Sequence, residues 1–191
     1  MLSRRQLLQS ALPCALGVAA LTSQNALAAP LALSTDLSFD LTRDTRSINL
    51  LRPVNNEAIS LNYMHEGEWV PNAYAQICWL LRDVRAQQWA QMDIKLIAIL
   101  DWTQRYLARY GYTQPLVILS GFRTLKTNNS LENASRNSMH LYGKAVDFAV
   151  PGLSSKYLAE LMGWLAQGGV GAYATRGFVH IDTGRPRRWQ K

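Results

Sequence analysis

The chain has 191 residues with 48% apolar content, which is enough to bury one substantial core and predicts a single globular domain. Its 20 basic and 13 acidic residues give a formal net charge of +7. Such a charge attracts anionic polymers in general, so charge alone does not distinguish a nucleic acid from a cell-envelope polymer as the target.

Residues 1–28 have the pattern of a bacterial export signal. Arg4 and Arg5 precede an apolar run, the segment ends in Ala26-x-Ala28, and it contains no acidic residue. Paired arginines indicate twin-arginine export, and the two small residues fit a cleavage site. Because the apolar run is short and interrupted by polar residues and a proline, it predicts no permanent membrane span. We therefore expect cleavage near Ala28 and a periplasmic mature protein.

Cleavage would change both the cysteine count and the charge. It would remove Cys14 and leave Cys78 as the sole cysteine, so no internal disulfide could form. It would also remove both signal arginines and lower the net charge to +5. A moderately cationic exported protein suits an anionic envelope polymer. Nucleic-acid binding is not expected, because export separates the protein from cytoplasmic nucleic acid and the sequence has no basic motif interleaved with aromatic residues.

The first half of the mature chain predicts a linker, a hairpin and a helix. Residues 29–45 lack helical periodicity and are interpreted as a linker, so the folded domain is expected over 46–191. Apolar residues at period two on either side of residues 53–57 predict a β-hairpin. A helix is predicted where apolar residues follow the i, i+3, i+4, i+7 rule, namely at Ile77, Leu80, Leu81 and Val84.

The second half predicts two more helices and three strands. A helix is expected from Asp93 to Gly111, and another through residues 158–165, closed by the Gly168-Gly169 pair. Short apolar runs predict strands over 115–119, 144–150 and 177–182. Mixed helices and strands in this order predict an α+β fold, a single domain with helices packed on a small antiparallel sheet.

The stretch SMHLYGKAVDF contains a candidate ligand pair, His140 and Asp147. Residues seven apart on one straight strand point to opposite faces, so the two cannot meet there. Gly143 and the alternating residues after it argue against one continuous helix. The remaining geometry has His140 at the end of one element, a turn at Tyr142-Gly143, and Asp147 on the following strand.

The C-terminal stretch FVHIDTG supplies a third candidate. His180 shares a strand face with Phe178 and Asp182, while Val179 and Ile181 are expected to point into the core. If this strand adjoins the strand of Asp147, then His140, Asp147 and His180 converge. Two imidazoles and one carboxylate suit zinc and leave a fourth position for water. Alternatively, each histidine is an ordinary structural residue.

Five ordered elements of the sequence carry a family resemblance. They are SGFRT, TNNSL, SMHLYGKAVDF, GGVGAY and FVHIDTG. Together they resemble the zinc peptidases that include D-alanyl-D-alanine carboxypeptidases and dipeptidases and share the Hedgehog fold, and within that group they are similar to the murein endopeptidase K family. The resemblance implies a zinc-dependent endopeptidase that cuts peptide cross-links of peptidoglycan, with one zinc ion held by His140, Asp147 and His180.

The resemblance also places other residues at the site, each with a second interpretation. Arg123 is expected to hold a substrate carboxylate or to stabilise an oxyanion, against the alternative of a surface arginine. Ser138 is expected either to bind substrate or to cap the local backbone. Tyr173 is a candidate donor to substrate, against a packed aromatic. The glycines of GGVGAY are interpreted as turns. The basic stretch 185–188 with Trp189 is interpreted as a solvated tail, against the alternative of a contact with anionic glycan.

The general base is not evident from the sequence. Related dipeptidases have a glutamate three positions before the last zinc histidine, where this chain has Gly177. Many related endopeptidases have a histidine two before it, where this chain has Phe178. Asp182 is the nearest acid, and it either activates the zinc water or orients an imidazole. His65-Glu66 does not form an HExxH motif, because the fifth position is Trp69.

Two alternatives to the endopeptidase remain open at this point. One is a module on the same fold that binds peptidoglycan without cutting it, and the missing base motivates this hypothesis. The other is a carboxypeptidase acting on free stem-peptide ends, because the shape of the cleft decides which chain lengths fit. The sequence gives no indication of oligomeric state.

Overall fold

The computed structural model describes residues 45–191, so the predicted export signal and nearly all of the predicted linker lie outside the described residues. The strands are β1 (Arg46–Arg52), β2 (Glu57–His65), β3 (Glu68–Trp69), β4 (Leu116–Ser120), β5 (Ala145–Ala149), β6 (Gly169–Tyr173), β7 (Phe178–Asp182) and β8 (Arg187–Gln190). The α-helices are α1 (Pro71–Leu80), α2 (Ile94–Ala108), α3 (Leu125–Asn129) and α4 (Ser155–Leu165). Short 3-10 helices cover Pro53–Asn55, Met139–Tyr142 and Ala174–Arg176.

All eight described strands join one sheet, in the order β3-β2-β1-β4-β5-β7-β6-β8. Two of the pairings, β1 with β4 and β6 with β8, are parallel, and the others are antiparallel. The predicted α+β class is therefore confirmed, with a sheet larger than expected. Strand β5 lies near the middle, where neighbouring strands can bring side chains to it from both edges.

The predicted hairpin is confirmed. Strands β1 and β2 pair in antiparallel register, with Leu50 opposite Ile59. The connection is a 3-10 turn, and Asn56 ends it in the left-handed conformation at φ 54°. Asparagine adopts this conformation more readily than most residues, so the turn chemistry agrees with the residue present.

Helix α1 ends earlier than the apolar spacing predicts, because its last residue is Leu80 and it excludes Leu81 and Val84. The buried Arg52 side chain donates to the carbonyls of Leu80 and Arg82, at 2.5 and 2.6 Å. Asp83 then accepts from the backbone N–H groups two and three residues after it, at 3.0 and 3.1 Å. These side chains take the backbone groups that another helical turn would use.

Helices α2 and α4 occur where they are predicted, with different ends. Asp93 caps α2 by accepting from the Lys95 N–H, and the helix ends at Ala108 rather than reaching Gly111. Helix α4 ends at Leu165, where Ala166 takes the left-handed conformation at φ 53°. The predicted closure of α4 by the glycine pair was wrong, because Gly169 already begins strand β6.

Two other interpretations are corrected at the C-terminal end. The glycine-rich GVGAY segment is strand β6, not a set of turns, and the basic stretch before the C-terminus is strand β8, not a solvated tail. Strand β6 pairs with β7 on one side and with β8 on the other, so both segments belong to the sheet. A side chain at Gly171 would collide with the Trp189 indole, so this glycine gives the indole room to pack against β6.

Strand β7 is buried along its whole length, so Phe178, His180 and Asp182 are enclosed as well as Val179 and Ile181. Val179 and Ile181 are buried as predicted, and the face that carries His180 is buried as well. Enclosure strengthens electrostatic interactions between polar side chains on the strand. Among residues 45–191, no helix has the length and apolarity needed to cross a membrane.

A candidate metal centre between strands β5 and β7

The antiparallel pairing of β5 with β7 places Asp147 directly opposite His180. His140 reaches the same point from the 3-10 helix that precedes β5. The turn between them uses Gly143 at φ 66°, and a side chain there would collide with the Gln91 carbonyl. The predicted arrangement of element, turn and strand is therefore present, because only glycine combines this conformation with this close approach.

The three candidate ligands form a small triangle of acceptor atoms. His140 Nε2 lies 3.1 Å from His180 Nδ1, and Asp147 Oδ1 lies 3.3 Å from the former and 2.9 Å from the latter. All three side chains are buried. Among the described residues, they form the one group of three or more histidine, cysteine or acidic side chains that could hold a metal ion.

The other nitrogen of each imidazole is already engaged. His140 Nδ1 lies 2.7 Å from the Gly121 carbonyl oxygen, so this nitrogen carries the proton and donates. His180 Nε2 lies 2.9 Å from Asp182 Oδ2 and donates to that carboxylate. In this tautomeric state the unprotonated nitrogen of each ring faces the Asp147 oxygen. Three lone pairs converging in a buried site repel one another unless a cation or a proton lies between them.

The charges around the triangle shift the pKa values of its members. Burial alone would raise the pKa of Asp147, but the charges and hydrogen bonds of the two imidazoles lower it well below its usual range. Burial lowers the pKa of His140. For His180, burial acts in the same direction, but the hydrogen bonds to Asp147 and Asp182 outweigh it and raise the pKa. The site therefore combines an ionised carboxylate with one imidazole that resists protonation.

This donor set fits zinc. A tetrahedral zinc ion bound at about 2.0–2.1 Å separates its nitrogen and oxygen ligands by about 3.3 Å, close to the edges of the triangle. Two imidazoles and a carboxylate also match the ligand types that zinc prefers over magnesium or calcium. The carbonyl and carboxylate behind the imidazoles orient them as partners of metal-binding histidines do.

Arg123 lies at the triangle, in contact with one of its members. Its Nη2 donates to Asp147 Oδ2 at 2.5 Å, and its Nε donates to Ser120 Oγ at 2.9 Å. Its backbone N–H donates to the His140 carbonyl at 3.1 Å, so the arginine and that histidine are positioned together. Burial lowers the pKa of Arg123, and the Asp147 carboxylate opposes the shift. The alternative of a surface arginine does not hold for a side chain that is 15% exposed.

The other two candidates near the triangle have structural partners. The Ser138 hydroxyl accepts from the His140 N–H at 3.4 Å and so caps the 3-10 helix that carries this histidine. The Tyr173 ring stacks on Phe178, with centroids 4.5 Å apart, and its hydroxyl accepts from the Trp189 indole N–H at 3.4 Å. A substrate-binding role for Ser138 or Tyr173 stays a prediction.

Asp182 faces the back of the His180 imidazole rather than the triangle. One of its oxygens accepts from His180 Nε2, and the carboxylate forms a two-pronged pair with Arg187 at 2.7 and 3.0 Å. The backbone N–H groups of Gly169 and Gly184 also donate to it, at 3.2 and 2.9 Å. Burial alone would raise the pKa of Asp182, but these partners lower it. A carboxylate so engaged orients an imidazole, so this position favours that role over activation of a zinc water.

Two residues near His180 were missed at the sequence level. Arg187 pairs with Asp182, and the Trp189 ring lies 5.2 Å from the His180 ring, centroid to centroid. Both belong to β8, which the basic composition presented as a tail. The spacing Arg187-x-Trp189 places both side chains on one face of a strand, and this alternation is the signal that could have identified them.

The positions where related enzymes have a base hold no titratable group in this chain. Gly177 ends a 3-10 turn at φ 72°, and the Phe178 ring contacts the Tyr173 ring and the Arg176 guanidinium. Asp182, the nearest acid, is engaged with His180 and Arg187. The site thus offers a triangle that could hold a metal ion, with Arg123 beside it and no side-chain base at either expected position.

Comparison with known proteins agrees with this geometry. The family model described as peptidoglycan L,D-endopeptidase MepK matches residues 40–189. The chain belongs to the MepK family. The peptidoglycan L,D-endopeptidase MepK of Escherichia coli K12 is 32% identical over 146 residues, which cover 69% of this chain and 79% of the relative. A probable MepK of Haemophilus influenzae is 32% identical over 124 residues, covering 63% and 66%. No solved structure matches the chain significantly.

Proposed function

We propose that this MepK-family protein is an exported, zinc-dependent murein endopeptidase that hydrolyses peptide cross-links of peptidoglycan. The observation that carries the proposal is the triangle of His140, Asp147 and His180. In each imidazole the outer ring nitrogen donates a hydrogen bond, so the lone pair of the inner nitrogen faces the centre of the triangle. The names of the curated relatives support a peptidoglycan substrate and an L,D peptide bond as the bond cut.

Zinc held by this triangle would lower the pKa of a bound water toward neutrality and polarise the scissile carbonyl. The residues of the chain keep that centre in position. Asp182 holds the proton of His180 on Nε2 and keeps Nδ1 free to bind. The Gly121 carbonyl does the same for His140 through Nδ1. Arg123, fixed by Ser120 and Asp147, is a permanent positive charge for the oxygen on which negative charge develops.

The alternative of a non-catalytic peptidoglycan-binding module rests on one observation. Neither Gly177 nor Phe178 can accept a proton, and Asp182 is held by other partners. Zinc, when held by the triangle, would itself supply the activation of water near neutral pH, so the lack of a side-chain base does not exclude hydrolysis and the endopeptidase is favoured over the binding module. A carboxypeptidase acting on stem-peptide ends would use the same centre and differs only in the substrate cut.

Digestion of purified cross-linked muropeptides tests the proposal, with products resolved by mass. We expect the wild-type protein to convert dimers to monomers, and we expect chelation or His180→Ala to abolish the conversion. His65→Ala is the matched control, because His65 is exposed and lies outside the triangle. Intact dimers with bound wall material would establish the binding module instead. Removal of terminal residues from monomers alone would establish the carboxypeptidase.

Export is proposed from the paired arginines and the small-residue cleavage pattern of residues 1–28. Replacing Arg4 and Arg5 together by lysine should keep the chain in the cytoplasm, as measured by cell fractionation. Unchanged periplasmic recovery of this variant would contradict twin-arginine export.

A further inference from the structure

A groove of about 740 Å³ lies between the start of β2 and helix α1, and none of its lining residues belongs to the metal triangle. Two tryptophans line it, Trp79 of α1 and Trp89 of the following loop, and we call it the tryptophan groove. Their side chains are 46% and 53% exposed. Two large indoles left open to water beside one groove are a feature of binding surfaces, because an isolated fold gains by burying them.

Trp79 is held in place by a neighbouring ion pair. The Arg82 guanidinium carbon lies 4.3 Å from the centre of the indole ring and covers one face of it. Arg82 is buried and donates to both oxygens of Glu57, at 2.6 and 2.7 Å. A two-pronged pair of this kind fixes the guanidinium and therefore the ring beneath it. The exposed part of the ring is thus a preformed flat platform rather than a mobile side chain.

Trp89 is positioned by the loop that follows α1. Asp83 and Gln88 exchange backbone hydrogen bonds, at 2.8 and 3.3 Å, and this closes the loop immediately before the tryptophan. Both platforms are therefore attached to short, hydrogen-bonded segments. A ligand that stacks on them would not have to order the protein first, which lowers the entropic cost of binding.

The polar lining indicates an uncharged ligand rich in hydroxyl and amide groups. Asn56 and Gln76 are exposed amides that both donate and accept hydrogen bonds. Glu57 is the sole charged side chain of the lining, and Arg82 neutralises it. Because the lining contains no lysine or arginine, phosphate polymers and nucleic acids are disfavoured. Pyranose rings fit, since their apolar C–H faces stack on indoles while their rims bind amides.

The tryptophan groove shares a structural segment with the proposed active site. The residue after α1, Leu81, accepts through its carbonyl from the Phe122 N–H at 2.7 Å. Asp83 Oδ2 accepts from the Thr124 N–H and hydroxyl, at 2.9 and 2.8 Å. These contacts join the C-terminal end of α1 to the loop that carries Arg123. A polymer bound in the groove would therefore contact the protein next to the segment that supports the Arg123 loop.

From this geometry we propose that the tryptophan groove binds the glycan strand of peptidoglycan, a polymer of N-acetylated hexosamines, through stacking on Trp79 and Trp89. The choice of peptidoglycan as the source of the glycan rests on the proposed function. The binding of a neutral N-acetylated oligosaccharide rests on the groove alone. Holding the glycan would keep the enzyme on the wall while the metal centre acts on the peptides.

Binding is tested with a soluble hexasaccharide of N-acetylglucosamine, titrated by calorimetry. We expect wild-type protein to bind, and we expect Trp79→Ala and Trp89→Ala each to weaken affinity about tenfold, with Gln76→Ala weakening it less. Tyr110→Ala is the matched control, because Tyr110 is exposed to 46%, as Trp79 is, and lies two residues beyond the end of α2, outside the groove lining. Absence of binding, or equal affinity in the tryptophan variants, would overturn the proposal. Displacement of the sugar by a sugar-free stem peptide would also overturn it and identify a peptide site.

A second measurement separates this proposal from the proposed function. We expect both tryptophan variants to cut sugar-free cross-linked peptides at the wild-type rate and to digest intact wall about tenfold more slowly at limiting enzyme. Hexasaccharide binding without cleavage of either substrate would support the groove and refute the endopeptidase. Equal digestion of wall by the variants and the wild type would refute the groove and leave the endopeptidase standing.

Discussion

At the scale of single residues, the centre depends on which nitrogen of each imidazole is free. His180 is the clearest example, since Nδ1 faces Asp147 and Nε2 faces Asp182. Asp182 is in turn held by Arg187. This series of contacts reaches from the triangle to strand β8, so a basic residue of β8 affects the orientation of a candidate metal ligand.

Asp182→Asn and Arg187→Gln test this series of contacts. We expect Asp182→Asn to weaken zinc binding about 10–100-fold, because an amide does not stabilise the Nε2 proton of His180 as a carboxylate does. Arg187→Gln should have a smaller effect of the same kind. Zinc affinity is measured by competition with a chromophoric chelator, independently of activity. Arg185→Gln is the matched control, since it removes a nearby exposed arginine from the same segment. Unchanged zinc affinity in Asp182→Asn would contradict the orienting role.

Arg123 differs from a simple positive charge in having two fixed contacts, to Ser120 and Asp147. Lysine cannot make both, so we expect Arg123→Lys to lower kcat about 100-fold if the guanidinium stabilises developing charge. Zinc affinity should stay within a few-fold of wild type. Steady-state kinetics on muropeptide dimers measures the effect. A rise in KM at constant kcat would instead identify Arg123 as a ground-state ligand of a substrate carboxylate.

At the scale of elements, the loops around the centre are positioned by buried polar side chains. Arg52 ends helix α1 by binding its last carbonyl. Asp83 organises the residues after the helix and also binds Thr124, next to Arg123. The early end of α1 therefore helps to position the loop that carries Arg123, because a longer helix would move Asp83 away from Thr124.

The free energy of unfolding is expected to depend on pH through the Asp83 carboxyl. Burial alone would raise the pKa of Asp83, but its hydrogen bonds to Thr127 and Thr124 lower it. A carboxyl whose folded pKa lies below its unfolded value, about 3.9, stabilises the fold above that value, and the stabilisation is lost as pH falls toward the folded pKa. We expect Asp83→Asn to lower the free energy of unfolding at pH 7 by about 1–3 kcal/mol.

Urea unfolding at several pH values measures this effect. The loss of stability of Asp83→Asn relative to wild type should shrink as pH falls from about 5 to 2, because the wild-type carboxyl becomes protonated there. Asp93→Asn serves as a control, since it also changes a helix-flanking aspartate. A deficit that stays constant over this pH range would show that the charge of Asp83 does not stabilise the fold.

At the scale of the whole molecule, the metal is expected to stabilise the domain as well as to act in catalysis. The triangle joins β5, β7 and the 3-10 helix before β5, so a bound ion would link these three segments. An ion that binds the folded state alone, at about 1,000 times its dissociation constant, contributes about 4 kcal/mol. For a chain of this size, that corresponds to a change in Tm of about 10 °C.

Thermal unfolding with zinc and with excess chelator tests this expectation. The wild type should lose about 10 °C in Tm on chelation. Asp147→Ala should unfold at the same temperature in both conditions, because it lacks a ligand. His65→Ala, which leaves the triangle intact, should respond as the wild type does. An equal response of wild type and Asp147→Ala would show that zinc does not bind the folded domain through this triangle.

Local patterns in the sequence were enough to predict the β1–β2 hairpin, helices α2 and α4, strands β4, β5 and β7, and the convergence of His140, Asp147 and His180. These predictions succeeded because apolar periodicity and a turn glycine depend on residues that are close together along the chain. Strands β6 and β8 were missed, because GVGAY is rich in glycine and the basic composition of RRWQ concealed the short alternation of Arg187 and Trp189. Their strand state depends on pairing with each other and with β7, which a local window does not contain.

By itself, the sequence determined the candidate ligands, the family resemblance and the absence of a base at two positions, because each is a matter of residue identity and spacing. Only the tertiary structure decided that Arg187 supports Asp182, that Trp189 packs on His180, and that Trp79 and Trp89 line one groove. The first two contacts depend on the pairing of β8 with β6, and the groove depends on how α1 and the loop after it lie beside β2. Periodicity within a short stretch of sequence does not contain either placement.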